Sequence, residues 1–274
     1  MKKICLMILI CFTMFFSACG TKVVNEIYNI TFEGTINVSE FETLTKAVIK
    51  KTEDSVLTVF NYVYSFGGLT SQGSGSAVIY ENTAVLKNGE SVDASYAIEN
   101  DLNVKKFVYR AITNNHVVAE NNILKVVLSG DSEEINAKLI AYNEVIDLAI
   151  ISFETTKYFP SIEFADSELL EKGDFVLAIG SPYGLEFSGS ASFGIVSYPK
   201  RYVEEEYKNK LILNEYIQHD ASINSGNSGG ALVNLEGKLV GINTMKLAYE
   251  NDNTEGMGFA IPSNLVMEFI NENK

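Results

Sequence analysis

Gly226-Asn227-Ser228-Gly229-Gly230 is the stretch on which the reading of this 274-residue chain turns. A serine hydroxyl is a weak nucleophile until a base takes its proton and a third group orients that base. The glycines around Ser228 let the backbone turn so that N–H groups can point at a developing oxyanion. Upstream lie Thr113-Asn114-Asn115-His116-Val117 and Asp147-Leu148-Ala149-Ile150. Taken singly, His116 reads as a surface or core histidine, Asp147 as a turn residue and Ser228 as a loop serine. With only two histidines in the chain, their conjunction in the order His, Asp, Ser points to nucleophilic catalysis.

Gly-x-Ser-x-Gly also opens the nucleophile elbow of α/β-hydrolases, where the order is Ser, acid, His. Both histidines, His116 and His219, precede Ser228, which removes that design. The flanking sequence supports an all-β reading instead. Short β-branched and aromatic runs separated by turn residues predict strands at Val56–Phe60, Ser76–Tyr80, Phe107–Thr113, Leu124–Leu128, Asn136–Tyr142 and Leu148–Phe153. A second set follows at Phe175–Ile179, Ala191–Ser197, Tyr216–His219, Ala231–Asn234, Leu239–Thr244 and Gly258–Ile261. The connector Pro160–Gly173 separates them, so two packed barrels or sandwiches are expected. His116 and Asp147 fall in the first set and Ser228 in the second, which places a site in the cleft between lobes. A helix is predicted over Glu40–Lys51, with Ser39 and Glu42 as a capping box. A short final helix through Leu265, Val266, Phe269 and Ile270 is expected to be capped by Ser263.

The first residues are a separate object. Met1-Lys2-Lys3 is basic, Ile4–Phe16 is a nearly continuous apolar run, and Ser17-Ala18-Cys19 supplies small residues before a cysteine. This reads as an export signal, too short for a spanning helix. Phe16-Ser17-Ala18-Cys19 resembles a bacterial lipobox, with Phe16 where leucine is usual, so Cys19 is the expected lipidation site. The alternative is an ordinary secretory signal with an incidental cysteine. All three cysteines (Cys5, Cys11, Cys19) lie here, so the body has no disulfide framework and depends on core packing. A net charge of −14 argues against a nucleic-acid partner, which calls for a basic face.

The chain is similar to the trypsin-like serine proteases of the bacterial HtrA (DegP/DegS) group from about Ser55 to Asn271. The resemblance is carried by Gly73-Ser74-Gly75-Ser76, the His116 and Asp147 segments, Gly173–Pro182, Gly194-Ile195-Val196-Ser197, Gln218-His219-Asp220-Ala221, Gly226–Gly230 and Gly258–Ser263. It implies two six-stranded Greek-key β-barrels with short N- and C-terminal helices. Residues 1–18 are then a lipoprotein signal peptide, 19–38 a tether and 39–274 the protease domain, with barrels over about 55–155 and 170–262. By resemblance, Ser228 is the nucleophile, His116 the general base and Asp147 its orienting acid. The N–H groups of Gly226 and Ser228, helped by Asn227, form the oxyanion hole. Ser222 lines the substrate pocket and offers no carboxylate, with Leu247 as an apolar wall, so cleavage after small or medium aliphatic residues is expected. Lys246 stands where an apolar residue is usual.

The same resemblance implies unfolded or extended polypeptide substrates, no cofactor, a homotrimer using Tyr28, Phe32 and Phe41, and residence in the cell envelope. Cys19 would anchor the protein by lipid to the outer face of the cytoplasmic membrane. The chain ends at Lys274 soon after the final helix, so the group's PDZ domain is expected to be absent. Glu81–Lys106 is extra relative to the group and is expected to be a surface loop. His219 stands where threonine is usual and reads as structural. No metal is expected, since His219 lacks Cys or His neighbours and Glu250–Glu255 lacks an ordered ligand pattern. The competing function is a catalytically quiet surface lipoprotein that binds polypeptide with the same fold.

Overall fold

Period-two alternation of side chains along the strands builds two barrels and the apolar layer between them. The computed structural model describes residues 37–65, 67–120, 123–244 and 256–274. Cys19, Tyr28, Phe32, Lys246, Leu247 and Glu250–Glu255 lie outside the described residues. Residues 42–274 form one compact unit.

The N-terminal barrel is built from β1 (Val56–Ser65), β2 (Gly68–Leu86), β4 (Val104–Thr113), β5 (Ile123–Val127), β6 (Ile135–Asn143) and β7 (Leu148–Thr155), with β3 (Ser91–Asp93) on the far end of β2. The order is β1-β5-β6-β7-β4-β2, and antiparallel pairing of β1 with β2 closes the ring. The second barrel contains β8 (Phe175–Gly180), β9 (Ser190–Tyr207), β10 (Lys210–His219), β11 (Ala231–Asn234), β12 (Leu239–Thr244) and β13 (Gly258–Pro262). It closes in the order β10-β13-β12-β11-β8-β9.

Successive side chains on a strand point to opposite faces. On β7, Ala149, Ile151 and Phe153 enter the core of the first barrel, whereas Leu148 and Ile150 join a second cluster. On β8, Val176 and Ala178 fill the second barrel, whereas Leu177 and Ile179 join that same cluster. The shared layer therefore welds the barrels, and each fully buried Leu or Ile contributes about 1.5–3 kcal/mol by leaving water. With no cysteine beyond Cys19, this layer carries the load a disulfide could have shared.

Helix α1 (Val38–Thr52) precedes β1 and adds Val48 to the layer. It begins earlier than the expected capping box. Asn37 occupies the capping place, its Oδ1 accepting from Ser39 N at 3.2 Å. Glu42 instead pairs with Lys46 one turn on.

The segment 81–106 departs from the expected surface loop. Its first residues continue β2, and β3 and helix α2 (Ala94–Glu99) follow before β4 begins. Asp93 caps α2 by accepting from Tyr96 N at 2.9 Å. Ala94 and Ala97 are fully buried and pack with Leu86 in the first barrel's core. The insertion is a plug on the barrel, because the small face of α2 can sit close over the core.

Helix α3 (Asn115–Val118) is the single turn that follows β4. Helix α4 (Ser263–Glu272) buries Val266, Phe269 and Ile270, three and one residues apart, against the shared layer. Ser263 is inside this helix, and its hydroxyl donates to the Ala165 carbonyl at 2.7 Å rather than capping the first turn.

Candidate active site

His116 sits in the turn of α3, at the end of β4, and its side chain is 40% exposed. Asp147 lies at the end of the β6–β7 turn and is 2% exposed. Strand pairing of β4 with β7 sets Thr113 opposite Ala149, which brings the two residues together. The His116 Nδ1 to Asp147 Oδ2 distance is 2.7 Å, and the His116 backbone N–H donates to Asp147 Oδ1 at 3.0 Å. Both carboxylate oxygens are therefore engaged, which fixes the plane of the carboxylate and the orientation of the ring. Thr244 Oγ1 adds a third bond to Oδ2 at 3.3 Å.

The backbone around Asp147 is built to hold this geometry. Asp147 adopts φ 55°, a left-handed conformation that Asp and Asn tolerate better than other side chains. Its carbonyl accepts from Asn115 N at 3.1 Å and Asn114 Nδ2 at 3.0 Å. From the second barrel, the β9–β10 hairpin reaches the same turn. Asn214 Nδ2 donates to the Val145 carbonyl at 2.9 Å, and the Tyr207 hydroxyl donates to Glu144 Oε2 at 2.5 Å. The hairpin is much longer than the strands expected at Ala191–Ser197 and Tyr216–His219. The alternation of Val203, Glu205 and Tyr207 opposite Ile212 and Asn214 carries it outward.

Gly226 to Gly230 forms a tight loop entering β11. Gly226 and Gly229 have φ 100° and 83°, which a residue with a side chain rarely adopts. A methyl group on Gly229 would run into the Ser76 carbonyl, and one on Gly226 into the Ser181 carbonyl. The loop is tied to both barrels. Ser76 N donates to the Ser228 carbonyl at 2.8 Å, and Ser76 Oγ to the Gly226 carbonyl at 2.7 Å. Gly229 N donates to the Asn243 carbonyl and Asn243 N to the Gly230 carbonyl, each at 2.9 Å.

Ser228, 6% exposed, and His116 line one cleft of about 560 Å³, together with Gly226, Asn61, Ser74 and Glu120. Asn227 is buried behind the loop, with Oδ1 close under Gly180. Ser222 is exposed and does not line this cleft; its carbonyl accepts from Ser192 Oγ at 2.9 Å. A larger cavity of about 720 Å³ between the connector and the β11–β12 turn contains none of these residues.

His219 is fully buried, with Asp220, Asn243 and the Ala221 backbone around its ring. Burial pushes its pKa down to about 4, against smaller upward pulls from Asp220, Asn243 and Ala221. The ring is packed against Gly258, where a Cβ would overlap it. Among the described residues no cluster of three or more His, Cys, Asp or Glu could hold a metal ion. No described helix is long and apolar enough to cross a membrane.

Sequence reasoning did not find Asn61, Thr244 or Asn214. Asn61 Nδ2 holds the Val117 and Ala119 carbonyls at 3.2 and 2.8 Å, at a register shift between β1 and β2. A single asparagine in the middle of an otherwise apolar and aromatic strand gives no periodic signal for such a role.

A family profile described as "Trypsin-like peptidase domain" matches residues 75–242. Lactococcus lactis subsp. cremoris (strain MG1363) has a "Serine protease Do-like HtrA" that is 35% identical over 254 residues, covering 89% of this chain and 60% of that protein. The protein of that name from Lactobacillus helveticus is 43% identical over 163 residues, 59% of this chain and 38% of its own. "Periplasmic serine endoprotease DegP" from Escherichia coli (strain K12) is 44% identical over 163 residues, 59% of this chain and 32% of its own. The chain thus spans between 32% and 60% of the length of these curated relatives. With closed six-stranded barrels and a matched profile over more than half its length, the chain belongs to the trypsin-like peptidase family, with HtrA and DegP serine proteases as its relatives.

Proposed function

We propose that this chain is a serine endopeptidase that cuts unfolded or extended polypeptides. The observation that carries the reading is the His116–Asp147 pair, bonded at 2.7 Å, with His116 lining the same cleft as Ser228. A ring whose Nδ1–H donates to Asp147 leaves Nε2 as the acceptor, the tautomer required to take the Ser228 proton. Ser228 Oγ then attacks the scissile carbonyl, and His116 passes the proton to the leaving amine. A water molecule, activated by the same imidazole, releases the acyl group from Ser228. The N–H groups of Gly226 and Ser228, supported by Asn227, would receive the developing oxyanion, and each such donor is worth about 3 kcal/mol in the transition state.

Cleavage after small or medium aliphatic residues belongs to the same reading, supported by the absence of a carboxylate at Ser222, with Leu247 as the proposed apolar wall. The leader supports export and a lipid anchor at Cys19 on the outer face of the cytoplasmic membrane, and a relative named as periplasmic supports an envelope setting. Assembly as a homotrimer is part of the proposal.

Unfolded casein and a fluorophosphonate probe test the chemistry on the full chain in detergent, beside Ser228→Ala. Cleavage and labelling of the parent, both lost in the variant, are expected. Labelling that persists in Ser228→Ala would overturn the assignment of the nucleophile. Mass analysis of the mature N-terminus decides Cys19, where a diacylglyceryl mass increment is expected.

A further inference from the structure

The cleft that holds His116 and Ser228 has an exposed carboxylate in its wall. Glu120 is exposed and is the one carboxylate among the residues lining the cleft. It has no ion-pair partner among the described residues. Its backbone sits at φ 52°, a conformation uncommon for a residue with a side chain, and this turn ends the segment that runs on from His116. Asn61 lines the same cleft, is 4% exposed, and has an Oδ1 with no hydrogen-bond partner among the described residues. Its Nδ2 is committed to the Val117 and Ala119 carbonyls, so the amide orientation is set and the free atom is an acceptor. The bond to Ala119 also fixes the residue next to Glu120. An exposed carboxylate in the wall of a substrate cleft makes a cationic donor the complementary group.

Resting on the endopeptidase reading above, we propose that Glu120, on a turn held by the Asn61–Ala119 bond, is the acidic end of a subsite for a lysine or arginine side chain of the substrate. This side chain would come from the first three residues after the scissile bond. The side follows from the chemistry, since His116 hands its proton to the leaving amine and Val117 to Glu120 continue directly from that histidine. The aliphatic preference assigned to Ser222 and Leu247 concerns the opposite, acyl side, so the two selections are independent. Chains with a basic residue just after the cut are then taken in preference to neutral or acidic ones.

Quenched fluorescent peptides that differ only after the cut, carrying Lys, Gln or Glu, test this with the full chain in detergent. For the parent, kcat/KM is expected to be about five- to tenfold higher for Lys than for Gln, the size of a partly exposed charge-assisted contact. Added salt should shrink this ratio, a readout that needs no variant. Glu120→Gln should bring the Lys-to-Gln ratio near one, and Glu120→Lys should favour the Glu peptide. A parent that labels at Ser228 and cleaves all three peptides equally would overturn the subsite while leaving the endopeptidase reading intact. A parent that neither labels nor cleaves would overturn both.

Discussion

At the residue scale, the site depends on groups whose alternatives are excluded by shape. Asp147 needs a left-handed backbone and two engaged oxygens, one for the His116 ring and one for its backbone N–H. Asp147→Asn would keep the size but present an amide to the ring or to that N–H, favouring the wrong tautomer. The expected outcome is a fall in kcat of about 10⁴-fold with little change in KM, measured on a fluorescent peptide beside a thermal melt that stays near the parent. The histidine, aspartate and serine were legible in the sequence because each sits in a distinctive short context. Asn61 and Thr244 were not, because their roles come from contacts with residues far along the chain. Ser222, expected in the substrate pocket, is exposed and is not among the residues lining the cleft of His116 and Ser228, and its expected partner Leu247 lies outside the described residues.

At the element scale, the β9–β10 hairpin links the second barrel to the turn that carries Asp147. Asn214 Nδ2 bonds the Val145 carbonyl and also lies 3.2 Å from Glu205 Oε1. Tyr216, whose hydroxyl donates to Glu205 at 2.5 Å, has its pKa raised by burial first and by that carboxylate second. Asn214→Ala removes the tie and leaves the Val145 carbonyl without it, a loss of about 1 kcal/mol of stability. Because the tie acts on the turn rather than on substrate, kcat should fall about three- to tenfold while KM stays nearly constant. An unchanged kcat at full folding would show that the turn holds itself. The strands of both barrels could be read from alternation, but the hairpin's length could not. Its outer positions include Glu204 and Glu206 opposite exposed Leu213 and Leu211, a pattern that reads as loop until the inner face finds the first barrel. The insertion failed for the same reason. Ala94 and Ala97 carry little hydrophobic signal, yet their small size is what lets α2 close over the core.

At the scale of the whole molecule, the folding equilibrium should carry the signature of His219. Folded, its pKa is held at about 4 by burial, below the ordinary histidine value of 6.5. Between those values the unfolded chain binds the proton and the folded chain does not. Stability from this group is therefore complete above pH 6.5 and is lost as pH falls towards 4, by up to about 3 kcal/mol. Denaturant unfolding at pH 7, 5.5 and 4.5 should show that decline, and His219→Thr should flatten it. A variant as acid-sensitive as the parent would assign the decline to carboxylates instead.

The sequence by itself determined the candidate site residues, their order and the all-β class. Those depend on local context and on period-two alternation, which are written along the chain. Only the tertiary structure decided how the residues are held and what shares their cleft. The Asn61, Asn214 and Thr244 contacts, the buried state of His219 and the nearness of Glu120 to Ser228 all join residues distant in sequence. The Asn214 and Thr244 contacts and the cleft shared by Glu120 and Ser228 form only when the two closed barrels pack, whereas the Asn61 contacts join β1 to the turn after β4 within the first barrel.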